Sequence, residues 1–370
     1  MRVSGRALSG LLLTLAVAAC SSSPAKDEAS TTASSSAGST GSGGGAASSS
    51  ASAGSTGGGG ATMCDQVAPG GPKAASYPFM LGGQSAWSHD DGFAAGYFHT
   101  YDALKVAGPD DEPRQVHVFL PRDYSLCGEG FPVVYMNDGN TTFWDGGIGN
   151  KTWDVATSLG QLYQDGSIAH VIVVAIVPLD REAEYTHTEW EPGHDCCGVE
   201  QYTGYVADYV KGFIDGNYHT KKGPESTAII GSSHGGLASF YMANRRPDAF
   251  GLAGCLSSSF WAGLDGIQGG SYGGGPLSTS LLINDVKSTL SATSHPRLWI
   301  DWGLVRTGGF QNDTIEATAT TRGKEMVSLL QSTYGYDAGR LASYEDPMGE
   351  HDEISWGRRF PMVMKYLFGP

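Results

Sequence analysis

The sequence predicts an α/β fold: a mostly parallel central sheet, helices on both faces, and antiparallel strands at the N-terminal edge. Three observations carry this. Apolar runs rich in Val and Ile alternate with helical patterns over most of the chain, the signature of a sheet whose strands are joined by crossover helices. The inner runs are near-continuous, as in strands buried on both faces. The first strand-like segments instead place apolar residues at every second position, as half-buried antiparallel strands do.

At the N-terminus, Arg2 and Arg6 form a short positive region, and the apolar run 8–17 is too short to anchor stably across a bilayer. The stretch Leu15-Ala16-Val17-Ala18-Ala19-Cys20 resembles the lipobox of bacterial lipoproteins, which implies a signal peptide over 1–20 and lipidation of Cys20. Residues 21–62 are almost entirely Ser, Gly, Ala and Thr. Such a composition has too little apolar surface to offset the entropy of ordering, so a flexible tether is expected. The protein is therefore expected to be exported and held on a membrane by a lipid anchor, facing periplasm or cell exterior. A single folded domain is expected over 63–370, about 300 residues, enough for one well-buried core.

Within that domain, 96–103 and 114–120 read as the antiparallel edge strands, punctuated by Pro113 and Pro121. The runs 131–136 and 170–177 are the long buried strands, and 227–230, 252–256 and 298–302 are shorter ones of the same kind. Helical spacing of apolar residues occupies 152–163, 200–213, 237–246, 323–331 and 355–367.

Charge excludes one class of partner. The net charge is -15 and the pI about 5.0, and no basic run exists to displace counterions from a phosphate backbone, so nucleic acid is not expected. Past Cys20 the cysteines are Cys64, Cys127, Cys196, Cys197 and Cys255. An oxidising compartment permits disulfides, but five is odd, and pairing is not readable from spacing. Cys196 and Cys197 either bridge each other or pair elsewhere, and Cys255, in an apolar run, reads as a buried core thiol. No Cys/His cluster has zinc-site spacing. No metal or cofactor is expected.

The chemistry concentrates at Ile229-Ile230-Gly231-Ser232-Ser233-His234-Gly235-Gly236-Leu237. An apolar strand runs into a Gly-flanked turn and then a helix, the context a G-x-S-x-G elbow requires, with Ser233 as nucleophile. A serine nucleophile needs a base. His351 lies in a Gly-containing loop after a strand and ahead of the closing helix, where this arrangement supplies it. His234 sits inside the elbow and is expected to line the pocket, while His187 and His194 are loop residues. The acid that orients the imidazole is first sought at Asp313, then at Glu316, then at Asp301. The amide of His234 is one expected oxyanion donor, and those of Gly139 and Asn140, where strand 131–136 ends, are the others.

These pieces together resemble the esterase family of α/β hydrolases. That family takes in esterase D-type, enterochelin-esterase-like, feruloyl and acetylxylan esterases and the antigen 85 mycolyltransferases. The resemblance runs from about Gly96 to Gly369 and rests on several ordered stretches: Arg114-x-Val116-x-Val118-x-Leu120-Pro121, Pro132 to Gly139, Arg181-Glu182-Ala183-Glu184-Tyr185, the elbow itself, Ser257-Ser258-Ser259-Phe260-Trp261, and Gly349-Glu350-His351-Asp352-Glu353-x-x-Trp356. It implies the α/β-hydrolase fold, ester hydrolysis through an acyl-enzyme, and substrate contact by Arg181 and Trp261. One departure bears on the acid. The family pattern puts an acidic residue soon after the strand glycine, whereas Gly303-Leu304-Val305-Arg306 carries Arg.

The expected function is thus a serine carboxylic-ester hydrolase acting on a small-molecule or glycan-linked ester, such as a carbohydrate- or siderophore-linked one. An acyltransferase on the same scaffold and a non-catalytic surface binding module are the alternatives.

Overall fold

The computed structural model describes residues 68–108, 110–267, 274–292 and 295–370, all within the compact unit Gly59–Pro370. Cys20, Cys64 and the tether 21–62 lie outside the described residues. Among these residues, strands β1 (Tyr77–Leu81), β2 (Gln84–His89), β3 (Gly96–Leu104), β4 (Arg114–Pro121), β5 (Val133–Met136), β6 (Ile172–Ile176), β7 (Thr227–Ser232), β8 (Leu252–Leu256), β9 (Arg297–Gly303) and β10 (Leu341–Asp346) form one sheet in the order β1-β2-β3-β4-β6-β5-β7-β8-β9-β10. Pairing is antiparallel from β1 through the β4–β6 contact and parallel from β6–β5 onward. This is the predicted α/β-hydrolase-like architecture. The sequence reading missed the β1–β2 hairpin, although its two-residue Gly82-Gly83 turn is a hairpin signal; Pro78 inside β1 is tolerated because β1 is an edge strand.

The inner strands are buried at every position because both faces are covered. Tyr135, Val174 and Ile229 pack into one core beneath helices Val199–Gly204, Lys211–Asn217 and His234–Arg245, while their neighbours Val134, Val173 and Ile230 pack into the other beneath Val155–Gln164 and Glu353–Phe368. Each such Val or Ile side chain contributes about 1.5–3 kcal/mol by leaving water. The topology also positions a site. From β5 the chain crosses to β6 on one side and later to β7 on the other, so the carboxyl ends of β5 and β7 diverge into a crevice, the place where ligands bind in open α/β sheets. Asn137, just past β5, ties that crevice together: its Nδ2 donates to Gly235 O at 3.0 Å and Ser239 Oγ at 3.1 Å, and its Oδ1 accepts from Tyr202 Oη at 2.9 Å.

Cys196 and Cys197 form a disulfide with each other, and Cys255 is a buried free thiol. Among the described residues no helix is long and apolar enough to cross a membrane, and no group of three or more His, Cys, Asp or Glu side chains could hold a metal ion.

Two buried imidazoles make the edge of the sheet acid-sensitive. His99 sits between Gly70 O (2.9 Å from Nε2) and Tyr218 Oη (3.0 Å from Nδ1), and His117 Nδ1 is 2.9 Å from Thr100 Oγ1. Burial pushes each down to about 4. The unfolded chain binds these protons near 6.5, so stability is fully present above that pH and is lost as pH falls toward 4. The urea midpoint is expected to fall from pH 7 to pH 5, at about 2 kcal/mol per imidazole; a level midpoint over that range would contradict this.

Candidate active site

Strand β7 ends at Ser232 and helix His234–Arg245 begins at once, leaving Ser233 to turn the chain at φ 54, ψ -122. A non-glycine residue there costs about 1–3 kcal/mol and persists only when its surroundings over-determine it. They do: Ser233 N donates to Leu256 O at 3.0 Å, while Ser233 O accepts from Leu237 N and Ser259 N, each at 3.0 Å. The turn closes so tightly that a Cβ on Gly231 would lie 2.5 Å from Gly235 O, which is why glycine stands there.

Ser233 Oγ is 3.0 Å from His351 Nε2 and 3.3 Å from Ser259 Oγ. His351 Nδ1 is 2.5 Å from Glu316 Oε2. Glu316 Oε1 accepts from Ser257 Oγ at 2.9 Å and from the Gly303 amide. The His351 and Glu316 side chains are 2% and 0% exposed, so the pair is shielded from water. Burial pushes the Glu316 carboxyl up. The hydrogen bond from His351, its charge, Arg359 and the Gly303 amide outweigh that and hold it below its ordinary value.

The expectation that Asp313 reaches the histidine is corrected. Residues Gln311–Glu316 form one wide helical turn, continued by the helix Ala317–Tyr334. On that turn Asp313 is exposed, accepting from Thr314 Oγ1 at 2.8 Å, while Glu316 faces inward. Asn312, also inward, accepts from the His351 amide at 2.9 Å and steadies the loop that carries the histidine. Asp301 is buried in β9, but its Oδ2 accepts from Trp299 Nε1 at 2.8 Å and its Oδ1 lies 3.3 Å from Arg359 Nη2. Burial raises it to about 6, against the pull of Arg359.

The remaining predicted residues surround a cavity of about 370 Å³, within the usual range for small-molecule sites. His234, the first residue of its helix, places its amide at the positive end of the helix dipole, where helix N–H groups have no internal partner. Asn140 lines the cavity; Gly139 instead lies beneath it, so close to the end of β6 that a Cβ would be 2.7 Å from the Ala175 and Ile176 backbone. Arg181 lines the cavity and forks onto Asp138, Nε to Oδ1 at 2.7 Å and Nη2 to Oδ2 at 2.9 Å. The His234 ring lies edge-on between Trp190 and Trp261, with centroids 5.5 and 5.7 Å away. Burial, then the charge of Arg181, keeps this imidazole well below its ordinary value and hence neutral.

Sequence reasoning did not single out Trp190, Phe310 or Ile148 as cavity residues. Glu353 and Trp356, also on the wall, were quoted only as letters of the histidine stretch. Glu353 Oε1 accepts from the Ile148 amide at 3.0 Å, and burial raises this carboxyl.

Comparison with known proteins supplies the context. Residues 110–367 match the family profile described as Putative esterase. The chain is 28% identical over 155 residues to the uncharacterized protein YbbA of Bacillus subtilis (strain 168), covering 40% of this chain and 58% of that one. It is 22% identical over 249 residues to the diacylglycerol acyltransferase/mycolyltransferase Ag85A of Mycobacterium gordonae, covering 62% and 70%. Among solved structures, the enterobactin esterase FES from Shigella flexneri superposes with a TM-score of 0.52 at 16% identity over 74% of this chain and 59% of that one. The siderophore hydrolase EstA from Aspergillus nidulans superposes at 0.51 and 18% identity over 72% and 94%. At these identities the structures establish a shared fold.

Proposed function

The chain belongs to the esterase family, and from that premise we propose that it hydrolyses carboxylic esters through an acyl-enzyme on Ser233. One observation carries the reading: His351 Nε2 lies 3.0 Å from Ser233 Oγ while its other nitrogen is held by a buried carboxylate. Ser233 Oγ attacks the ester carbonyl carbon as its proton passes to His351 Nε2. Glu316 offsets the positive charge that forms on the ring. The carbonyl oxygen, now anionic, is received by the amides of His234 and Asn140. The intermediate collapses, the C–O bond to the alcohol breaks, and His351 returns the proton to the departing oxygen. A water then repeats the sequence: His351 takes its proton, the hydroxide adds to the acyl carbon, and Ser233 leaves with that proton as the carboxylic acid is released.

The walls favour an acyl or alcohol group with a flat ring. Trp190, Trp261, Trp356 and Phe310 give aromatic surface, and Arg181, Gln311 and Glu353 give polar points around it. That composition supports a carbohydrate- or siderophore-linked ester. The acyltransferase alternative draws on the likeness to the mycolyltransferase; it uses the same acyl-enzyme with an alcohol in place of water.

The test is to hydrolyse p-nitrophenyl acetate with and without glycerol and then to treat the protein with a fluorophosphonate. Hydrolysis, its loss on labelling, and the label on the Ser233 peptide are expected. Label on another residue, or no turnover of any short-chain ester, would sink the reading. Glycerol ester formed faster than acetate would select acyl transfer instead.

A further inference from the structure

Behind the Ser233–His351–Glu316 chain lies a second run of polar groups. Glu316 turns Oε1 inward to Ser257 Oγ at 2.9 Å, and Ser257 Oγ is in turn 2.8 Å from Arg359 Nη2. Arg359 comes from the helix Glu353–Phe368, and its guanidinium also lies 3.3 Å from Asp301 Oδ1 and 3.7 Å from Asp346 Oδ2. Ser257 and Glu316 are fully buried, and Arg359 and Asp301 are each 1% exposed.

Hydrogen-bond polarity gives this run a direction. A guanidinium only donates. At its contact with Arg359, Ser257 Oγ must therefore accept, and its single proton is left for Glu316. The order is fixed as Arg359 to Ser257 to Glu316. Charge balance points the same way. A buried arginine without a counter-ion is strongly destabilising, and Asp301 supplies one without approaching His351, since its other oxygen is held by Trp299 Nε1. Ser257 itself stands at φ 41, a backbone conformation unusual for a residue with a side chain, and its amide donates to Asp301 O at 2.9 Å. Strained positions of this kind are held by what surrounds them.

We propose that Ser257 and Arg359 are positioning residues of the triad: together with the Gly303 amide they hold Glu316 by its inner oxygen so that its outer oxygen stays on His351 Nδ1 through both proton transfers. The proposal rests on the esterase reading above. A glutamate has one more rotatable bond than an aspartate, so its carboxylate needs more contacts to stay in one place. Without Ser257 the inner oxygen would keep only the Gly303 amide, a single contact about which the carboxylate can pivot off the imidazole, and small misplacements of catalytic groups cost large factors in rate.

Two variants test this. Ser257→Ala removes the donor with little change in volume. Arg359→Lys keeps the charge against Asp301 but replaces the planar guanidinium, whose Nη2 faces Ser257 and Asp301 while Nη1 faces Asp346, by one ammonium on a flexible stem. In both, kcat on p-nitrophenyl acetate is expected to fall roughly 10- to 100-fold with KM within about twofold. The acid limb of kcat/KM should move to lower pH, because a carboxylate that drifts from Nδ1 no longer favours the charged ring. The low-field proton resonance of the His351–Glu316 hydrogen bond should weaken. Folded variants whose pH profile and resonance superpose on wild type would overturn the proposal. If the wild-type protein hydrolyses no ester, the esterase reading fails on its own, and the resonance, which needs no substrate, still decides whether Ser257 and Arg359 hold the pair.

Discussion

Replacing Glu316 by Gln is expected to lower kcat about 10⁴-fold with KM little changed, whereas Asp313→Asn leaves both within about twofold. The Gln side chain has nearly the same shape, so the loss comes from hydrogen-bond polarity. Oε1 of Glu316 accepts from the Gly303 amide and from Ser257 Oγ, so the Gln carbonyl oxygen is drawn to that end. The amide nitrogen is then left facing His351 Nδ1. A donor there requires Nδ1 to accept, which puts the ring proton on Nε2, against Ser233 Oγ. The imidazole then holds a proton where it must take one. Steady-state kinetics on p-nitrophenyl acetate settle the matter. A larger loss in Asp313→Asn than in Glu316→Gln would return the acid to the exposed aspartate.

Gly303→Ala is expected to damage both stability and rate. Gly303 ends β9, opposite Asp346 of β10. A Cβ on it would lie 2.2 Å from the carbonyl oxygen of Gly349 and 2.5 Å from its carbonyl carbon. Both are backbone atoms, and Val305 N donates to that same oxygen at 3.0 Å, so no side chain can swing aside. The loop before His351 must move by roughly an ångström, carrying the imidazole away from Ser233; such a shift costs about 100-fold in kcat and the overpacking about 1–3 kcal/mol. Urea unfolding separates this variant from Glu316→Gln, whose midpoint is expected to stay near wild type. An unchanged midpoint with wild-type kcat would refute the account.

These two variants mark where sequence stops being legible. The inner strands were readable because burial on both faces leaves unbroken apolar runs, as at Val133–Met136 and Ile172–Ile176. Ser233 and His351 stood out because each sits in local grammar: a strand, a glycine turn and a helix for one, a glycine loop ahead of a helix for the other. Their meeting is a consequence of topology, with β7 inside the sheet and the histidine loop following β10 at its edge. Glu316 was not separable from Asp313, because which of two carboxylates three residues apart faces inward depends on the winding of the turn that carries them. Periodicity placed that helix at 323–331; it begins well before, at Ala317, after the wide turn. Arg359 gave no signal, because a charged residue on an amphipathic helix reads as a solvated one, and only the buried carboxylate opposite explains its burial.

The wide turn Gln311–Glu316 has a consequence for comparing this chain with its relatives. Such a turn amounts to one residue inserted into an α-helix, and each residue of a helix advances its neighbours by about 100° around the axis. A homologue lacking the insertion would present a different position inward, so its acid would fall out of column with Glu316 in an alignment even though both occupy the same place beside the histidine. The identity of the acid in such chains is therefore better assigned by counting helix phase back from the first buried residue after the turn than by matching letters.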